Sequence, residues 1–219
     1  MAQQLRLSLT QPIRQGREDF VAGPSNAQAV AAVDAWPRWP GGCLVLVGPE
    51  GAGKSHLART WAEEARARVL DREAPELATA GGAVLLEDVD RGAPDEALFH
   101  LINLAGRGGG GLLMTARSRP QAWTAALPDL RSRLNALFVA EIAPPDDVVL
   151  EGVLRRLFRE RSMTPPPEVY PYLVRRMARS IPEAREVVRK MDEAADGAIS
   201  RLIARAVLEA ETQNLDLPE

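Results

Sequence analysis

The sequence predicts an α/β fold, with a mainly parallel sheet flanked by helices and a small all-helical unit after it. Three observations predict this architecture. Short apolar runs alternate with segments of helical periodicity between residues 17 and 145, which is typical of βα units in a parallel sheet. One of these runs enters a glycine-rich turn that opens a helix. After Pro144 and Pro145 the strand signals stop and only helical patterns follow.

The predicted elements follow one another in a regular order. Residues 1–16 are predicted to form a flexible, extended tail, in which Leu5, Leu7 and Leu9 alternate with other residues. Ser25 is predicted to cap a helix that runs through Ala35. The later elements of the α/β unit are strands at 44–47, 69–70, 84–86, 112–114 and 138–142, and helices at 54–67 and 94–104. In the unit 146–219, Asp146 is predicted to cap a helix to residue 160, and further helices are predicted at 168–178, 183–195 and 199–211.

Composition excludes several classes of protein. The chain has 219 residues, of which 46% are hydrophobic and 26% charged, as in globular proteins. Because its net charge is −3, the chain as a whole has no positive charge that would attract nucleic acid. A single cysteine, Cys43, excludes a disulfide framework and a cysteine-based metal site. No apolar run is long enough for a membrane span, and the N-terminus lacks the pattern of a signal peptide, so a cytoplasmic location is predicted.

The basic residues are distributed unevenly between two types. Of the 27 basic residues, only Lys54 and Lys190 are lysines. Arginine is a rigid planar fork, whereas lysine is a compact point charge on a flexible stem. In such a chain, a lysine is therefore a stronger indication of a specific role than an arginine is.

A phosphate-binding loop is predicted at residues 48–55, which match the pattern G-x-x-x-x-G-K-[ST] between a strand and a helix. The predicted nucleotide-binding residues of this segment are Gly48, Glu50, Gly51, Ala52, Gly53, Lys54, Ser55 and His56. Glycines allow backbone N–H groups to turn toward phosphate oxygens, and the helix N-terminus adds its positive end. Lys54 is expected between the terminal phosphates and the Ser55 hydroxyl on Mg²⁺. We therefore predict ADP or ATP, with Mg²⁺, as cofactors.

The second part of the predicted site is a pair of acids at the end of the strand 84–86. By position, Glu87 is expected to face the metal and Asp88 to polarise a water molecule and also to approach the metal. Glutamate departs from the usual aspartate in the first slot, since it adds one methylene between the backbone and the metal.

A parallel-sheet nucleotide domain followed by a helical lid is the layout of the AAA+ class. Four segments resemble the bacterial initiator family DnaA: residues 20–26, residues 48–57, Thr115 with Arg119-Pro120, and residues 143–146. The resemblance extends from about residue 17 to 200. DnaA carries a helix-turn-helix domain after its lid, and this chain ends at Glu219. The resemblance therefore implies a relative without that domain.

The N-terminal tail indicates which group of DnaA relatives the chain resembles. Its segment Gln4-Leu5-Arg6-Leu7-Ser8-Leu9 is similar to peptides that bind the sliding clamp of the replicative polymerase, with Gln4, Leu5, Leu7 and Leu9 as anchors. A tail of this kind before a DnaA-like domain resembles the Hda family of DnaA-homologous regulators. Such a family member is expected to contact the clamp and DnaA, with DNA reached through the clamp. It is expected to stimulate ATP hydrolysis by DnaA and so to regulate replication initiation negatively.

The resemblance also implies roles for individual residues. Arg133 is expected to act as an arginine finger in trans, with Arg131 as the alternative. Phe20, Val21 and Asn26 are expected to line an adenine pocket. These implied roles fall on segments that match the DnaA and Hda families.

Two positions depart from the family pattern at the phosphate end. Pro182 occupies the slot of a phosphate-sensing lid arginine, with Arg179 and Arg185 on either side, and Arg185 is the preferred of the two. Arg117 stands near the position where initiators carry a short acid. Together with Glu87, these departures predict weak or absent intrinsic ATPase activity.

Other functions stay open at this stage. A helicase loader, which is an active AAA+ ATPase, shares the fold, whereas a small-molecule kinase fits the four-helix lid poorly. The lid arginines at 155, 156, 159, 161, 175, 176 and 179 are interpreted as a solvated face or, alternatively, as a surface for an acidic protein or DNA phosphates. The segment 213–217 faintly resembles a second clamp peptide. Self-association into a homo-oligomer is also left open.

Overall fold

A five-stranded parallel sheet forms the centre of the structure. The computed structural model describes residues 16–73, 82–108, 110–195 and 199–215, with the side chains of residues 211–215 excepted. The predicted tail residues Gln4, Leu5, Leu7 and Leu9 lie outside these ranges. The strands are β1 (Cys43–Val47), β2 (Arg68–Leu70), β3 (Val84–Leu86), β4 (Leu112–Ala116) and β5 (Phe138–Glu141).

The strand order β2-β3-β4-β1-β5 puts the first strand between β4 and β5, and all pairings are parallel. Every residue of β1, β3 and β4 is buried, because helices cover both faces of such a sheet. The last residue of β1, Val47, pairs with Ala116 of β4 and with Glu141 of β5. The carboxyl ends of these neighbouring strands therefore meet at one edge, where open α/β sheets place their ligands.

Helices pack on the two faces through alternate strand residues. One face of the sheet, which includes Leu44 and Leu46, packs against α1 and α2. The opposite face, which includes Val45 and Val47, packs against α3 and α4. The helices are α1 (Ala27–Asp34), α2 (Lys54–Glu64), α3 (Asp95–Gly106) and α4 (Pro128–Asn135). The period of two along β1 separates two hydrophobic cores, and α4 is a helix that the sequence pattern did not predict.

A third core lies within the helical unit that follows the sheet. Its helices are α5 (Asp147–Glu160), α6 (Val169–Val174), α7 (Ile181–Ala194) and α8 (Arg201–Leu215). Helix α6 ends four residues before the predicted boundary at Ala178. Helix α7 begins two residues earlier than predicted, because Ser180 caps it by accepting a hydrogen bond from Glu183 N and Pro182 is tolerated in the first turn. None of the helices in the described ranges is long and apolar enough to cross a membrane.

Asp146 joins the helical unit to the α/β unit. As predicted, it caps α5: its Oδ1 accepts from Val149 N at 2.9 Å. Its Oδ2 accepts from Ser25 N at 2.7 Å, and the Ser25 hydroxyl accepts from Asp146 N at 3.2 Å. The predicted cap of α1 by Ser25 is therefore wrong, and Asn26 occupies that position. The side chain of Ser25 is used in this contact between the two units instead.

Replacing Asp146 by alanine is expected to destabilise the protein by about 1–2 kcal/mol, because the helix cap and the bond from Ser25 N are both lost. Burial raises the pKa of Asp146, but hydrogen bonds from Val149, Ser25 and Val148 outweigh it and hold this pKa below the usual 3.8. The carboxylate therefore stabilises the fold above the unfolded pKa, and that stability is lost as the pH falls through the lowered folded value.

Chemical denaturation from neutral to acidic pH tests this, with Asp146→Asn as the matched control, since asparagine caps helices but does not titrate. Equal losses of stability on acidification in the wild type and Asp146→Asn would contradict the assignment.

Candidate functional site

The loop of residues 48–55 turns tightly between β1 and α2. Two glycines have left-handed backbone angles that favour glycine: Gly51, with φ of 75°, and Gly53, with φ of 101°. A Cβ on Gly51 would stand 2.8 Å from Ser180 Oγ. Backbone Ile181 N donates to Gly51 O at 3.0 Å. The loop is therefore held against the first turn of α7 as well as by its own strand and helix.

Lys54 begins α2 and is only 7% exposed. Its Nζ donates to Gly48 O at 2.7 Å and to Pro49 O at 2.8 Å. Burial lowers the pKa of Lys54, and the nearby carboxylate of Asp88 acts in the opposite direction. Two carbonyl groups of the phosphate loop therefore orient the ammonium group.

An open cavity of about 380 Å³ lies beside this loop. Its walls are the loop, the start of α2, the ends of β3 and β4, and the first turns of α7. Five cationic and two anionic side chains line it: Lys54, Arg59, Arg91, Arg117, Arg185, Glu50 and Asp88. An electropositive cavity of this kind suits a polyanionic ligand such as a nucleotide phosphate chain.

The two predicted metal-site acids are placed differently. Asp88 lines the cavity, and its backbone N donates to the buried Thr115 hydroxyl at 3.0 Å. Its carboxylate is 3.7 Å from Arg91. Glu87 is not among the lining residues, and its Oε2 accepts from Arg59 Nε at 3.1 Å and Nη2 at 2.9 Å.

This donor set fits Mg²⁺ poorly. The ion is usually held through one or two carboxylates together with the substrate phosphates. Ser55 does line the cavity, but Glu87 and Asp88 are each paired with an arginine. Within the described ranges, no group of three or more metal-ligating acids, histidines or cysteines comes together.

The turn after β4 brings Arg117 to the phosphate loop. Its Nη2 is 2.5 Å from Glu50 Oε2. The backbone N atoms of Arg117 and Ser118 donate to Asp90 Oδ2 at 2.8 and 2.9 Å. Asp90 therefore fixes the turn that delivers a cation where a short acid was expected. Asp90 was not predicted as a site residue, because it acts through contacts with residues 27 and 28 positions further along the chain.

The structure separates the two arginines on either side of Pro182. Arg185 lies one turn into α7 and lines the cavity. Arg179 precedes the helix, pairs with Asp147 at 2.6 Å and donates to Pro145 O at 3.2 Å. Helical periodicity puts Arg185 on the same side as Ile181, which is bonded to the loop. Of the two, Arg185 is therefore the one that can reach a phosphate.

A narrow crevice of about 10 Å³ lies beside the cavity and shares His56 and Ile181 with it. Its other lining residues are Asp19, Phe20, Val21, Asn26, Ala52, Val149, Val153 and Arg156. The rings of Phe20 and His56 are in T-shaped contact, with centroids 5.3 Å apart. The crevice has room for about one water molecule, so an adenine ring could enter only if it widened.

Asn26 supports the crevice rather than offering free polar groups to it. It is buried; its Oδ1 accepts from Gly23 N at 2.9 Å and its Nδ2 donates to Val21 O at 2.9 Å. Arg156 is also buried, pairs with Glu160 and donates to Asp19 O. The interpretation of Arg156 as part of a solvated face is therefore wrong, because the helix periodicity of α5 turns it inward.

The predicted arginine finger and its alternative have different surroundings. Arg133 is exposed near the end of α4, where its guanidinium lies 5.5 Å from the centroid of the Phe99 ring. Arg131 Nη2 donates to Ala125 O at 2.9 Å and so holds the loop before the helix. Both arginines are exposed, and of the two it is Arg133 whose guanidinium is stacked on a ring. Its role in trans stays a prediction.

No family model matches the sequence. The chain is 24% identical over 233 residues to the chromosomal replication initiator protein DnaA of Cutibacterium acnes, and the alignment covers 92% of this chain and 44% of that protein. The chain thus spans less than half the length of this relative. The predicted resemblance to DnaA is confirmed at the level of sequence similarity, whereas the narrower resemblance to Hda stays a prediction.

Solved structures show the same fold. Domain III of DnaA from Thermotoga maritima aligns with a TM-score of 0.71 at 19% identity, covering 90% of this chain and 96% of that one. AMPPCP-bound DnaA from Aquifex aeolicus aligns with a TM-score of 0.70 at 17% identity, covering 95% and 72%. The predicted AAA+ parallel-sheet fold is confirmed.

His56 is expected to stay neutral throughout the physiological pH range. Burial, aided by the positive charge of Arg156, lowers its pKa from 6.5 to about 4. An NMR titration of the His56 imidazole signals is expected to give a midpoint near 4. Because the unfolded chain binds this proton more tightly, stability falls as the pH falls from 6.5 toward 4.

His56→Gln removes the titrating group and is expected to flatten the stability profile in this pH window. A midpoint near 6.5 for the His56 signal would contradict the assignment of a half-buried, neutral imidazole.

Proposed function

We propose that this chain is an adenine-nucleotide-binding AAA+ protein that regulates replication initiation. One observation carries the nucleotide part: Lys54 of the phosphate loop and Arg185 of α7 line one cavity. The cavity is electropositive, as a phosphate chain requires. The base is proposed to lie at Phe20, where the adjacent crevice of about 10 Å³ has to widen to admit it. The AMPPCP-bound DnaA from Aquifex aeolicus, which has the same fold, supports ADP or ATP as the ligand.

The regulatory part of the proposal couples the sliding clamp to DnaA. The predicted clamp peptide with Gln4 and Leu7 supports contact with the clamp. Arg133, exposed on α4, supports a finger that stimulates ATP hydrolysis by DnaA in trans. DNA would be reached through the clamp, in the cytoplasm at the replisome and nucleoid. The similarity to DnaA over most of this chain supports a place in replication.

The nucleotide of this chain has mainly a structural role in this proposal. Glu87 is paired with Arg59, and Asp88 lies near Arg91. The carboxylate of Glu87 is therefore held by a cation, and that of Asp88 has a cation nearby. We infer that intrinsic turnover is slow compared with that of AAA+ motors.

One observation favours the alternative, an active ATPase such as a helicase loader. Asp88 lines the cavity together with Ser55, so one acid is available to polarise a water molecule. Steady-state ATP turnover typical of AAA+ motors would favour this alternative over the regulator.

Replacing Lys54 by alanine is expected to weaken ADP binding by about 100-fold, since a buried charge-assisted contact to phosphate is lost. Isothermal titration calorimetry measures the effect, and Lys190→Ala is the control because it removes the other lysine at a distance from the cavity. Thermal melting of both variants checks that they fold. Unchanged binding in a folded Lys54→Ala variant would refute the nucleotide site.

Arg133→Ala is expected to abolish most of the stimulation of DnaA-bound ATP hydrolysis, since trans fingers are worth about 10³–10⁵ in rate. The assay follows release of labelled phosphate from ATP-bound DnaA in the presence of clamp-loaded DNA. In contrast, Arg131→Ala is expected to loosen the loop before α4 and to lower stability.

Replacement of both Gln4 and Leu7 by alanine is expected to abolish clamp binding while ADP binding is kept.

Full stimulation by the Arg133→Ala variant would contradict its role as the finger. Clamp binding that survives the change of Gln4 and Leu7 would remove the support for the tail as the clamp-binding segment.

A further inference from the structure

Arg59 lies in α2 beside the phosphate loop and is among the residues that line the cavity. It follows Ser55 by four residues in α2, so the two side chains lie one turn apart on the same side of the helix. Its guanidinium lines the cavity, while its Nε and Nη2 donate to Glu87 Oε2 at 3.1 and 2.9 Å. A permanent cation therefore neutralises the acid that was predicted to hold the metal, one turn from the predicted serine ligand.

The other acids at the cavity are also matched by arginines. Glu50 of the loop is 2.5 Å from Arg117, and Asp88 is 3.7 Å from Arg91. The Glu50–Arg117 pair joins two different segments, whereas Asp88 and Arg91 lie three residues apart in the turn after β3. The positive charge is therefore built into several elements of the fold instead of depending on one flexible side chain.

With this charge distribution, the site needs less positive charge from a metal ion to neutralise a phosphate chain. In phosphate-loop proteins, a divalent cation and basic side chains both neutralise the phosphate chain. Here the arginines already neutralise the acids that would hold the ion, and Lys54 and Arg185 remain at the cavity for the phosphates. A guanidinium is always charged and offers a planar set of donors that matches phosphate oxygens. A dication at this place would be repelled by the basic wall and attracted by few free carboxylates.

We propose that this chain binds its nucleotide without a divalent cation, because Arg59 neutralises Glu87 while Lys54 and Arg185 supply the positive charge that Mg²⁺ supplies in other phosphate-loop proteins. This inference rests on the proposed nucleotide binding. It replaces the magnesium site predicted at Ser55, Glu87 and Asp88, which the donor set does not fit.

The test compares nucleotide affinity with and without the metal. The fluorescence of N-methylanthraniloyl-ADP is titrated with the full chain, once in EDTA and once in excess Mg²⁺. For the wild type, the two dissociation constants are expected to agree within about threefold. For Arg59→Ala, binding in EDTA is expected to weaken by about tenfold or more, and Mg²⁺ is expected to restore most of it because Glu87 is released.

Two further variants sharpen the comparison. Arg59→Lys keeps the charge and is expected to keep binding in EDTA. Arg107→Ala removes an exposed arginine at the end of α3 that does not line the cavity, and it is expected to behave like the wild type. Electron paramagnetic resonance with Mn²⁺ gives an independent readout: more protein-bound Mn²⁺ is expected in the ADP complex of Arg59→Ala than in that of the wild type.

Each outcome decides one point. Wild-type binding that weakens tenfold or more in EDTA overturns the inference but leaves the proposed nucleotide binding intact. An Arg59→Ala variant that stays indifferent to Mg²⁺ overturns the role of Arg59. No binding in either buffer overturns the proposed nucleotide site itself.

Discussion

The contact between the phosphate loop and the first turn of α7 organises the rest of the site. It consists of the bond from Ile181 N to Gly51 O at 3.0 Å and the close approach of Ser180 to the same glycine. Because α7 starts there, Arg185 faces the cavity one turn later. The contact also closes the crevice at Phe20, since Ile181 forms part of its wall. Without this contact, the loop would lack Arg185 at the cavity and Ile181 at the crevice.

The excess of arginine has a specific consequence at this site. Arginine pairs well with carboxylates through its planar fork, and Glu50, Glu87 and Asp88 each have one as a neighbour. Lys54 is different: a compact ammonium fits between the carbonyls of Gly48 and Pro49 inside the loop. At this site, lysine is therefore found where space is short, and arginine is found beside each of the three acids.

Sequence patterns predicted the fold better than they predicted the site. The buried strands and the loop are local features, in which apolar runs and glycines act through their own backbone. The cap at Ser25 was mispredicted because its polar groups bond to Asp146, which is 121 residues away in the chain. Burial of Arg156 and the pairing of Glu87 with Arg59 likewise depend on tertiary contacts. No local pattern reports such contacts, so the roles of individual charged residues were the hardest to predict.

Because the acids of the site are paired with arginines, a regulatory function would depend on other parts of the molecule. Hydrolysis needs a carboxylate that is free to orient water, whereas binding needs only positive charge and walls for the base. A site whose acids face arginines is therefore better suited to holding a nucleotide than to consuming it. Held in this way, the nucleotide would fix α7 against the loop and with it the relation between the helical unit and the sheet. Activity toward a partner would then depend on exposed groups such as Arg133, which Phe99 orients and no neighbouring acid neutralises within the described ranges.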